Sequence, residues 1–311
     1  MLNILSGKIN LPPKVVIYGA EGVGKSTLAS QFPDPLFIDT EGSTTYMDVR
    51  RLEKPDSFTG LVDLVKAVAA EPDICKTLIL DTADWAEQMC IAEVCAKYKK
   101  KGIEDFGYGK GYTYISEEFS KLLSAFDAVI KKGICVVITA HAKMRKFEQP
   151  DEMGAYDRWE MKLSKQVAPL LKEWCDMLLF CNYKTYVVST ESNTHKAQGG
   201  KRVMYTTHHP CWDAKNRHNL PEETDLDFAS IAHIFSVEQP ESPALQELRR
   251  LMLKDHITAD RIQWIVAKKG KYPQSVDIQG YPEEFISGWL IPNWANIVEY
   301  VNRKENQLVE D

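Results

Sequence analysis

Residues 14–32 read KVVIYGAEGVGKSTLASQF, and this stretch decides the fold. The run KVVIY (14–18) is apolar enough for a buried strand, and TLASQF has helical spacing. Between them, Gly19 to Ser26 fits the pattern G-x-x-x-x-G-K-[ST]. Such a loop, placed between a strand and a helix, presents backbone N–H groups to phosphate oxygens. The stretch therefore predicts a nucleotide site in an α/β fold.

The motif gives a task to each of its polar side chains. Lys25 is expected to reach the β- and γ-phosphates, and the Ser26 hydroxyl to hold Mg²⁺. The apolar run TLILD (77–81) ends in Asp81, the expected second acid beside the metal ion. ATP and Mg²⁺ are the expected cofactors, with Ser26 and Asp81 as metal-holding residues. The expected nucleotide-binding residues are Gly19, Glu21, Gly22, Val23, Gly24, Lys25, Ser26, Thr27 and Asp81.

Further apolar runs repeat the strand pattern along the first two thirds of the chain. LFID (36–39), TLILD (77–81) and ICVVIT (134–139) alternate with stretches of helical spacing. Fully apolar strands between helices indicate a parallel sheet covered on both faces. Residues 176–190 and 201–209 then read as two strands around a polar turn. A β-hairpin is therefore expected to end the core.

Composition limits the cellular setting. The 311 residues are 26% charged and 44% hydrophobic, which is ordinary for a globular protein, and no apolar stretch approaches the roughly 18–20 residues that span a bilayer. Seven scattered cysteines and the absence of a signal-peptide pattern favour the cytoplasm.

A net charge of −6 argues against nucleic-acid binding through overall charge but leaves local basic patches open. A zinc site would have to use His208, His209, Cys211 and His218, which lack paired ligand spacing.

The acid that would activate water is not in the most usual place. A GTPase would carry Asp-x-x-Gly after the third strand, whereas Asp81 begins Asp-Thr-Ala-Asp, and no Asn-Lys-x-Asp guanine reader occurs. Many helicases and ATPases of the AAA+ type place a glutamate directly after that aspartate, and here Thr82 stands there. Glu41, in PLFIDTEGS (35–43), is the available carboxylate, because a strand beside the phosphate-loop strand ends near the γ-phosphate. The alternative is that Glu41 only decorates a loop. Asp39, at the end of the same strand, has an open role near the metal.

The order of these motifs resembles the core of RecA-type recombinases. It consists of the phosphate loop, FIDTE (37–41), LILD (78–81) and VVITAHAK (136–143). The resemblance implies that Glu41 activates water and that His141 senses the γ-phosphate, where recombinases usually carry Gln. The alternative for His141 is a satisfied core histidine. Lys215-Asn216-Arg217 resembles the Lys-Asn-Lys segment with which these proteins reach a neighbour's ATP, so Lys215 and Arg217 are expected to act between protomers. The alternative for that segment is a solvated basic loop.

Two segments lie where RecA-type proteins bind DNA. In 97–114, lysines would neutralise phosphates and aromatic rings would stack on bases. The alternative is a lysine-rich last helical turn, favoured by the helix dipole. In 142–162 only the basic start is convincing, because the middle is acidic. The candidate DNA-binding residues are Lys99, Lys100, Lys101, Phe106, Tyr108, Lys110, Tyr112, Lys143, Arg145 and Lys146.

A closer resemblance covers about residues 10–235. YGAEGVGKST, FIDTEGST, LILDTADWAE, IEDFGYGKGY and AKNRHNLP are similar to phage RecA-like single-strand annealing proteins, the fourth Sak group. The resemblance implies an α/β fold with a RecA-like P-loop NTPase core. It also implies a DNA-stimulated ATPase that binds single-stranded DNA for recombination in the bacterial cytoplasm, as a homo-oligomer in a ring or filament.

The expected domains are a core over 1–236, a linker over 237–243 and a small, mainly helical domain over 244–311. That last domain is expected to pack its aromatic residues in a core, and contact with a single-strand-binding protein is one role open to it. Two other functions stay open from the sequence. One is a replicative-type helicase on the same core, and the other is a regulatory ATPase that does not act on DNA.

Overall fold

The computed structural model describes residues 11–148, 154–189, 195–235 and 242–309. The chain divides into two compact units, Met1–Ser236 and Val237–Asp311. In the described part of the first unit, nine strands form one sheet. They are β1 Lys14–Gly19, β2 Pro35–Asp39, β3 Arg50–Arg51, β4 Thr77–Asp81, β5 Cys135–Glu148, β6 Ala155–Met161, β7 Met177–Ser189, β8 His195–Tyr205 and β9 Glu223–Asp225.

Ten α-helical segments occur among the described residues of both units. They are α1 Lys25–Ala29, α2 Phe58–Ala70, α3 Ala83–Lys97, α4 Lys110–Lys131, α5 Val167–Trp174, α6 Ala232–Phe235, α7 Pro243–Asp255, α8 Ala259–Lys268, α9 Glu283–Phe285 and α10 Trp294–Val309. Short 3-10 turns cover Ile103–Phe106, Phe228–Ser230 and Ile278–Gly280, and a π-helical turn covers Ile286–Leu290. Within the residues described, no helix has the length and apolar character needed to cross a membrane.

The strand order is β3-β2-β4-β5-β1-β7-β8-β9, with β6 pairing to the end of β5. Strands β1 to β5 and β7 pair in parallel where they meet in this order, and β8 returns antiparallel to β7. The prediction of a mainly parallel α/β sheet ending in a hairpin is confirmed. The arrangement, a mainly parallel sheet with the phosphate loop after its central strand β1, is that of a P-loop NTPase core.

Alternating side chains of the central strand fill two apolar layers. Val16 and Tyr18 face the layer formed with α2 to α5, while Val15 and Ile17 face the layer that includes α1 and α6. All four are fully buried. Because both faces are covered, β1 reads as a continuous apolar run rather than an alternating one.

Parallel pairing brings the polar ends of four strands to one edge. In the registers, Gly19 of β1 lies opposite His141 of β5, and Asp39 of β2 lies opposite Asp81 of β4. The carboxyl ends of parallel strands are where α/β sheets bind ligands. The sheet thus collects the phosphate loop, both predicted acids and the histidine on one rim.

Strand β5 is much longer than its apolar run predicts. Residues 142–148 pair antiparallel with β6, so the start of the second predicted DNA segment is a β-hairpin rather than a loop. Residues 1–10, 149–153, 190–194, 236–241 and 310–311 lie outside the described residues, and so does most of the linker predicted over 237–243.

The second unit is helical around its own apolar core. Helices α7, α8 and α10 enclose Leu248, Ile262 and Leu290, all fully buried. Several of its aromatic residues also join this core: Tyr281 and Trp294 are buried, and Tyr272 packs edge-on against Phe285.

Candidate nucleotide site

The phosphate loop has a backbone conformation that requires glycine at two of its positions. Gly24 has φ 110°, in the left-handed region that favours glycine, and the neighbouring Val23 is fully buried and anchors the loop. At Gly19 a Cβ atom would lie 2.1 Å from the carbonyl oxygen of Cys181 on β7. Glycine is therefore required where β1 enters the loop, because the adjacent strand leaves no room for a side chain.

Lys25 begins α1 and is almost entirely buried at 5% exposure. Its Nζ donates to the carbonyl oxygens of Ala20 at 3.0 Å and Gly19 at 3.3 Å. Burial lowers the pKa of the Lys25 ammonium. Lys25 lines a cleft of about 510 Å³ together with Ser26, Glu41 and His141. The cleft thus has a buried cation at the position that the motif assigns to phosphate.

Asp81 accepts hydrogen bonds from three hydroxyl groups. Ser26 Oγ and Ser43 Oγ both donate to Asp81 Oδ2 at 2.7 Å, and the Thr139 hydroxyl donates to Oδ1. This cluster of carboxylate and hydroxyl oxygens fits Mg²⁺, which prefers oxygen ligands. Ser26 and Asp81 would hold the ion, as predicted from the motif. Ser43 and Thr139 were not predicted, although a threonine ending the apolar run ICVVIT was a usable signal.

Asp39 organises the loop that carries Glu41. Its Oδ1 accepts the backbone N–H groups of Gly42 (2.6 Å) and Glu41 (3.1 Å), and its Oδ2 accepts both the N–H and the hydroxyl of Thr44. Burial alone would raise the pKa of Asp39, but these hydrogen bonds outweigh it and lower the pKa. Asp39 lies opposite Asp81, the acid expected to hold Mg²⁺, so a role for Asp39 near the metal ion was one alternative. The contacts instead make Asp39 a positioning residue for the loop.

Glu41, His141 and Asp84 form a chain across the cleft. His141 Nδ1 lies 2.9 Å from Asp84 Oδ2, and His141 Nε2 lies 3.9 Å from Glu41 Oε2. Asp84 Oδ1 also accepts the backbone N–H of His141 at 3.0 Å. The hydrogen bond with Asp84 raises the pKa of His141, and burial raises the pKa of Glu41.

Asp84 was missed as a site residue by sequence reasoning. It lies in the first turn of α3 and is 7% exposed. Burial would raise its pKa, but the hydrogen bonds from His141 outweigh that effect and the pKa is lowered. An acid in a first helical turn is commonly explained by the helix dipole alone. The pairing with His141 could not be read without the strand order.

The residues predicted to act between protomers have partners within their own chain. Lys215 Nζ donates to the carbonyl oxygens of Cys175 at 2.5 Å and Lys172 at 3.1 Å. Arg217 forms an ion pair with Asp176 at 2.7 Å, and its side chain is 62% exposed. Arg217 is the more accessible of the two cations.

The aromatic residues of the first predicted DNA segment mostly pack on each other. Tyr98 stacks on Tyr114 with ring centroids 4.8 Å apart, and Phe106 packs edge-on against both. The hydroxyl of Tyr112 donates to Glu104 at 2.9 Å. Tyr108, by contrast, is fully exposed. The lysines predicted to bind DNA here are exposed: Lys99, Lys100, Lys101 and Lys110.

The basic side chains of the β5–β6 hairpin differ in their hydrogen-bond and ion-pair partners. Lys143 Nζ donates to the carbonyl oxygen of Leu163 at 2.6 Å, and Arg145 lies 3.7 Å from Glu160. Lys146 is exposed, opposite Asp157 in the register. The hairpin therefore carries two exposed cations, Arg145 and Lys146, beyond the nucleotide cleft.

A family model described as an AAA domain matches residues 11–218, more than half of the chain. The chain belongs to the AAA domain family. With its phosphate loop between β1 and α1, it is a P-loop ATPase of that family. Comparison with curated proteins finds no match.

Two solved structures illustrate what the fold is similar to. The KaiC-like protein PH0186 from the hyperthermophilic archaeon Pyrococcus horikoshii OT3 is 12% identical over 67% of this chain and 82% of that one, with a TM-score of 0.35. The flagellar accessory protein FlaH from Methanocaldococcus jannaschii is 11% identical over 65% of this chain and 86% of that one, with a TM-score of 0.32.

Proposed function

We propose that this chain is an ATP- and Mg²⁺-dependent protein that binds single-stranded DNA and promotes annealing or strand pairing in recombination. One observation carries the proposal. Strand β5 runs without interruption from His141, which lines the nucleotide cleft, to Arg145 and Lys146 on the exposed hairpin. Such a strand connects the position proposed to sense the γ-phosphate with exposed cations that can bind DNA phosphates. This arrangement suits an ATPase whose nucleotide state controls its affinity for DNA.

Hydrolysis in the cleft needs an oriented water, an acceptor for its proton and positive charge near the phosphate oxygens. In our proposal Glu41 orients the water and accepts the proton, because it is the half-buried carboxylate that lines the cleft, whereas Glu21 at the rim is exposed. Lys25 binds the phosphates, and Ser26 and Asp81 hold Mg²⁺. When bound, Mg²⁺ neutralises charge that develops on the phosphate oxygens.

His141 acts as the sensor in its protonated form. Its Nδ1 faces the Asp84 carboxylate, which is an acceptor, so Nδ1 carries a hydrogen. For Nε2 to donate to a phosphate oxygen as well, the ring must be an imidazolium. Asp84 favours that form because its hydrogen bond raises the pKa of His141. Asp84 is therefore the positioning residue for the sensor.

ATP is proposed to lie between protomers of a ring or filament, with Arg217 as the main residue contributed in trans. Mixing Arg217→Ala protomers with Glu41→Gln protomers tests this arrangement. A shared site predicts partial recovery of turnover, since some interfaces in the mixture combine an intact Arg217 with an intact Glu41. No recovery in any ratio, in mixtures shown to co-assemble, would count against the shared site.

The test of the DNA function is binding of a single-stranded oligonucleotide with and without a non-hydrolysable ATP analogue. The proposal predicts salt-sensitive binding that the analogue strengthens. Absence of binding under both conditions would end the DNA proposal. A strand-displacement assay then separates an annealing protein from a helicase, which would unwind duplex directionally.

A specific observation favours a second candidate, a regulatory ATPase that does not act on DNA. The rings of Tyr98, Phe106 and Tyr114 pack against one another, which leaves few ring faces on which a base could stack. This candidate predicts ATP turnover that is indifferent to single-stranded DNA.

A further inference from the structure

A second cleft, of about 590 Å³, opens between β6 and the β7–β8 hairpin. Trp159, Tyr205 and Trp212 supply its aromatic wall, and Asp157 and Asn182 supply polar groups. None of these five residues is among those predicted from the sequence to bind DNA. The cleft is separate from the one that holds the phosphate loop, although one contact links them.

The aromatic wall is fixed by packing of its rings on one another and on a neighbouring imidazole. The rings of Tyr205 and Trp212 lie 4.3 Å apart at 32°, and His209 stacks on Trp212 at 4.0 Å. Trp159 donates its backbone N–H to the carbonyl oxygen of Cys211 at 2.7 Å, which ties β6 to the segment that carries Trp212. All three wall rings are half-buried. Fixed, partly exposed rings suit stacking of a flat ligand, because little rotamer entropy is lost on binding.

The polar groups suit a neutral base better than a phosphate. Lys184, the cation that lines the cleft, forms a two-point ion pair with Glu223 at 2.7 and 2.8 Å. Asp157 adds a negative charge. Asn182 Oδ1 accepts the N–H of Tyr183 at 2.9 Å, so its amide NH₂ is the end that can donate to a ligand. A donor and an acceptor beside aromatic rings match the hydrogen-bonding edge of a nucleobase.

The surroundings indicate how such a base would arrive. Trp159 and Asp157 lie on β6, directly opposite Met144 and Lys146 of β5. Of the two exposed cations of this hairpin, Lys146 shares the face of the cleft wall and Arg145 lies on the opposite face, because side chains alternate along a strand. On the other side, the Tyr183 hydroxyl donates to the carbonyl oxygen of Gly22 in the phosphate loop at 3.1 Å. A DNA strand bound through Lys146 would place a base in the cleft next to the ATP site.

We propose that this second cleft receives an unstacked base of single-stranded DNA, in contact with the aromatic wall of Trp159, Tyr205 and Trp212 and hydrogen-bonded by Asn182 and Asp157. This deepens the proposed function and rests on it, since it names where a base of the bound strand sits. Contact of one base with an aromatic wall is worth ~1–3 kcal/mol, or about five- to a hundredfold in affinity.

The experiment compares two fluorescent probes on the full chain: an oligothymidylate and an abasic oligonucleotide of the same length. Wild type is expected to bind the base-bearing probe more tightly. Trp212→Leu and Asn182→Ala are each expected to lose affinity for oligothymidylate while keeping affinity for the abasic strand. Trp264→Leu, at a half-exposed tryptophan of the second unit, is the matched control and is expected to bind both probes like wild type. Circular dichroism establishes which variants fold, and Asn182→Ala decides if Trp212→Leu does not.

The outcomes separate this inference from the function on which it rests. If wild type binds both probes equally, or if the cleft variants keep full affinity for oligothymidylate, the base cleft is wrong and DNA binding stands. Equal loss on both probes, or a change in sedimentation without a base-dependent loss, also overturns it, the latter in favour of a second copy of the chain as occupant. If wild type binds neither probe, both the base cleft and the DNA function are overturned.

Discussion

The two clefts of the ATPase core present different chemical groups to a ligand. The nucleotide cleft combines a buried cation, Lys25, with Glu41 and His141, whose positions are fixed by hydrogen bonds to Asp39 and Asp84. The second cleft presents half-buried rings, and its lysine is neutralised by an ion pair. In the first, each side chain has a different chemical task, so one substitution can abolish activity. In the second, rings add increments of stacking, so each substitution weakens binding.

Lys25→Ala should give the largest effect, because it removes the buried cation of the nucleotide cleft. We expect both ATP affinity and turnover to fall, with kcat/KM reduced by about a thousandfold. Nucleotide binding by calorimetry and steady-state ATP turnover measure the two losses. A near-normal kcat/KM in Lys25→Ala would show that the nucleotide cleft does not depend on this one positive charge, and the contrast with the second cleft would then fail.

Glu41→Gln should separate binding from chemistry. The amide keeps the size of the side chain but cannot accept a proton, so ATP affinity should persist while kcat falls by about 10²–10³-fold. Glu53→Gln is the matched control, because Glu53 is an exposed acid that does not line the cleft, and this variant should hydrolyse ATP normally. Normal hydrolysis by Glu41→Gln would remove the catalytic assignment.

The pH profile of turnover should report the sensor. In our proposal protonated His141 is the active form, so activity should decline as pH rises through its pKa, which the hydrogen bond with Asp84 raises above the ordinary 6.5. Lys25 opposes that shift and Glu41 supports it. Asp84→Asn should move the alkaline decline to lower pH and reduce kcat by about tenfold, the worth of one charged hydrogen bond.

His141→Gln is the informative partner of that variant. A glutamine amide donates at every pH, so the alkaline decline assigned to His141 should disappear. If Asp84→Asn lowers turnover without moving the profile, Asp84 has a structural role only.

The smallest effects are expected on the exposed segment after α3. Lys110→Ala should weaken single-stranded DNA binding modestly and reduce the salt slope by about 0.7, as one phosphate contact does. Tyr108→Ala, at a fully exposed ring, should cost ~1–3 kcal/mol of DNA binding if it stacks on a base. Affinity titrations over a salt series measure both. Unchanged affinity in both variants would remove this segment from the proposed DNA-binding surface.

Sequence patterns predicted the parts of the site that backbone geometry dictates. The phosphate loop, Asp81 and the position of Glu41 follow from a motif between strand and helix and from the order of parallel strands. Ser43, Thr139 and Asp84 did not, because their partners come from different strands and helices brought together by the sheet. A pattern of single residues contains no record of those pairings.

Composition was a weaker guide than motif. The aromatic residues of 97–114 were predicted to stack on bases, whereas Phe106 packs against Tyr98 and Tyr114 and Tyr112 is held by Glu104. Their DNA roles stay a prediction. The aromatic cleft escaped sequence reasoning because Trp159 is remote in the chain from Tyr205 and Trp212 and meets them only through strand pairing.

Steady-state ATP turnover of the wild-type chain, measured with and without single-stranded DNA at fixed Mg²⁺, tests the central claim most directly. An ATPase whose sensor strand continues into a DNA-binding hairpin should hydrolyse slowly alone and faster with DNA. Measurable hydrolysis at the same rate with and without DNA would contradict the account and support a regulatory ATPase instead.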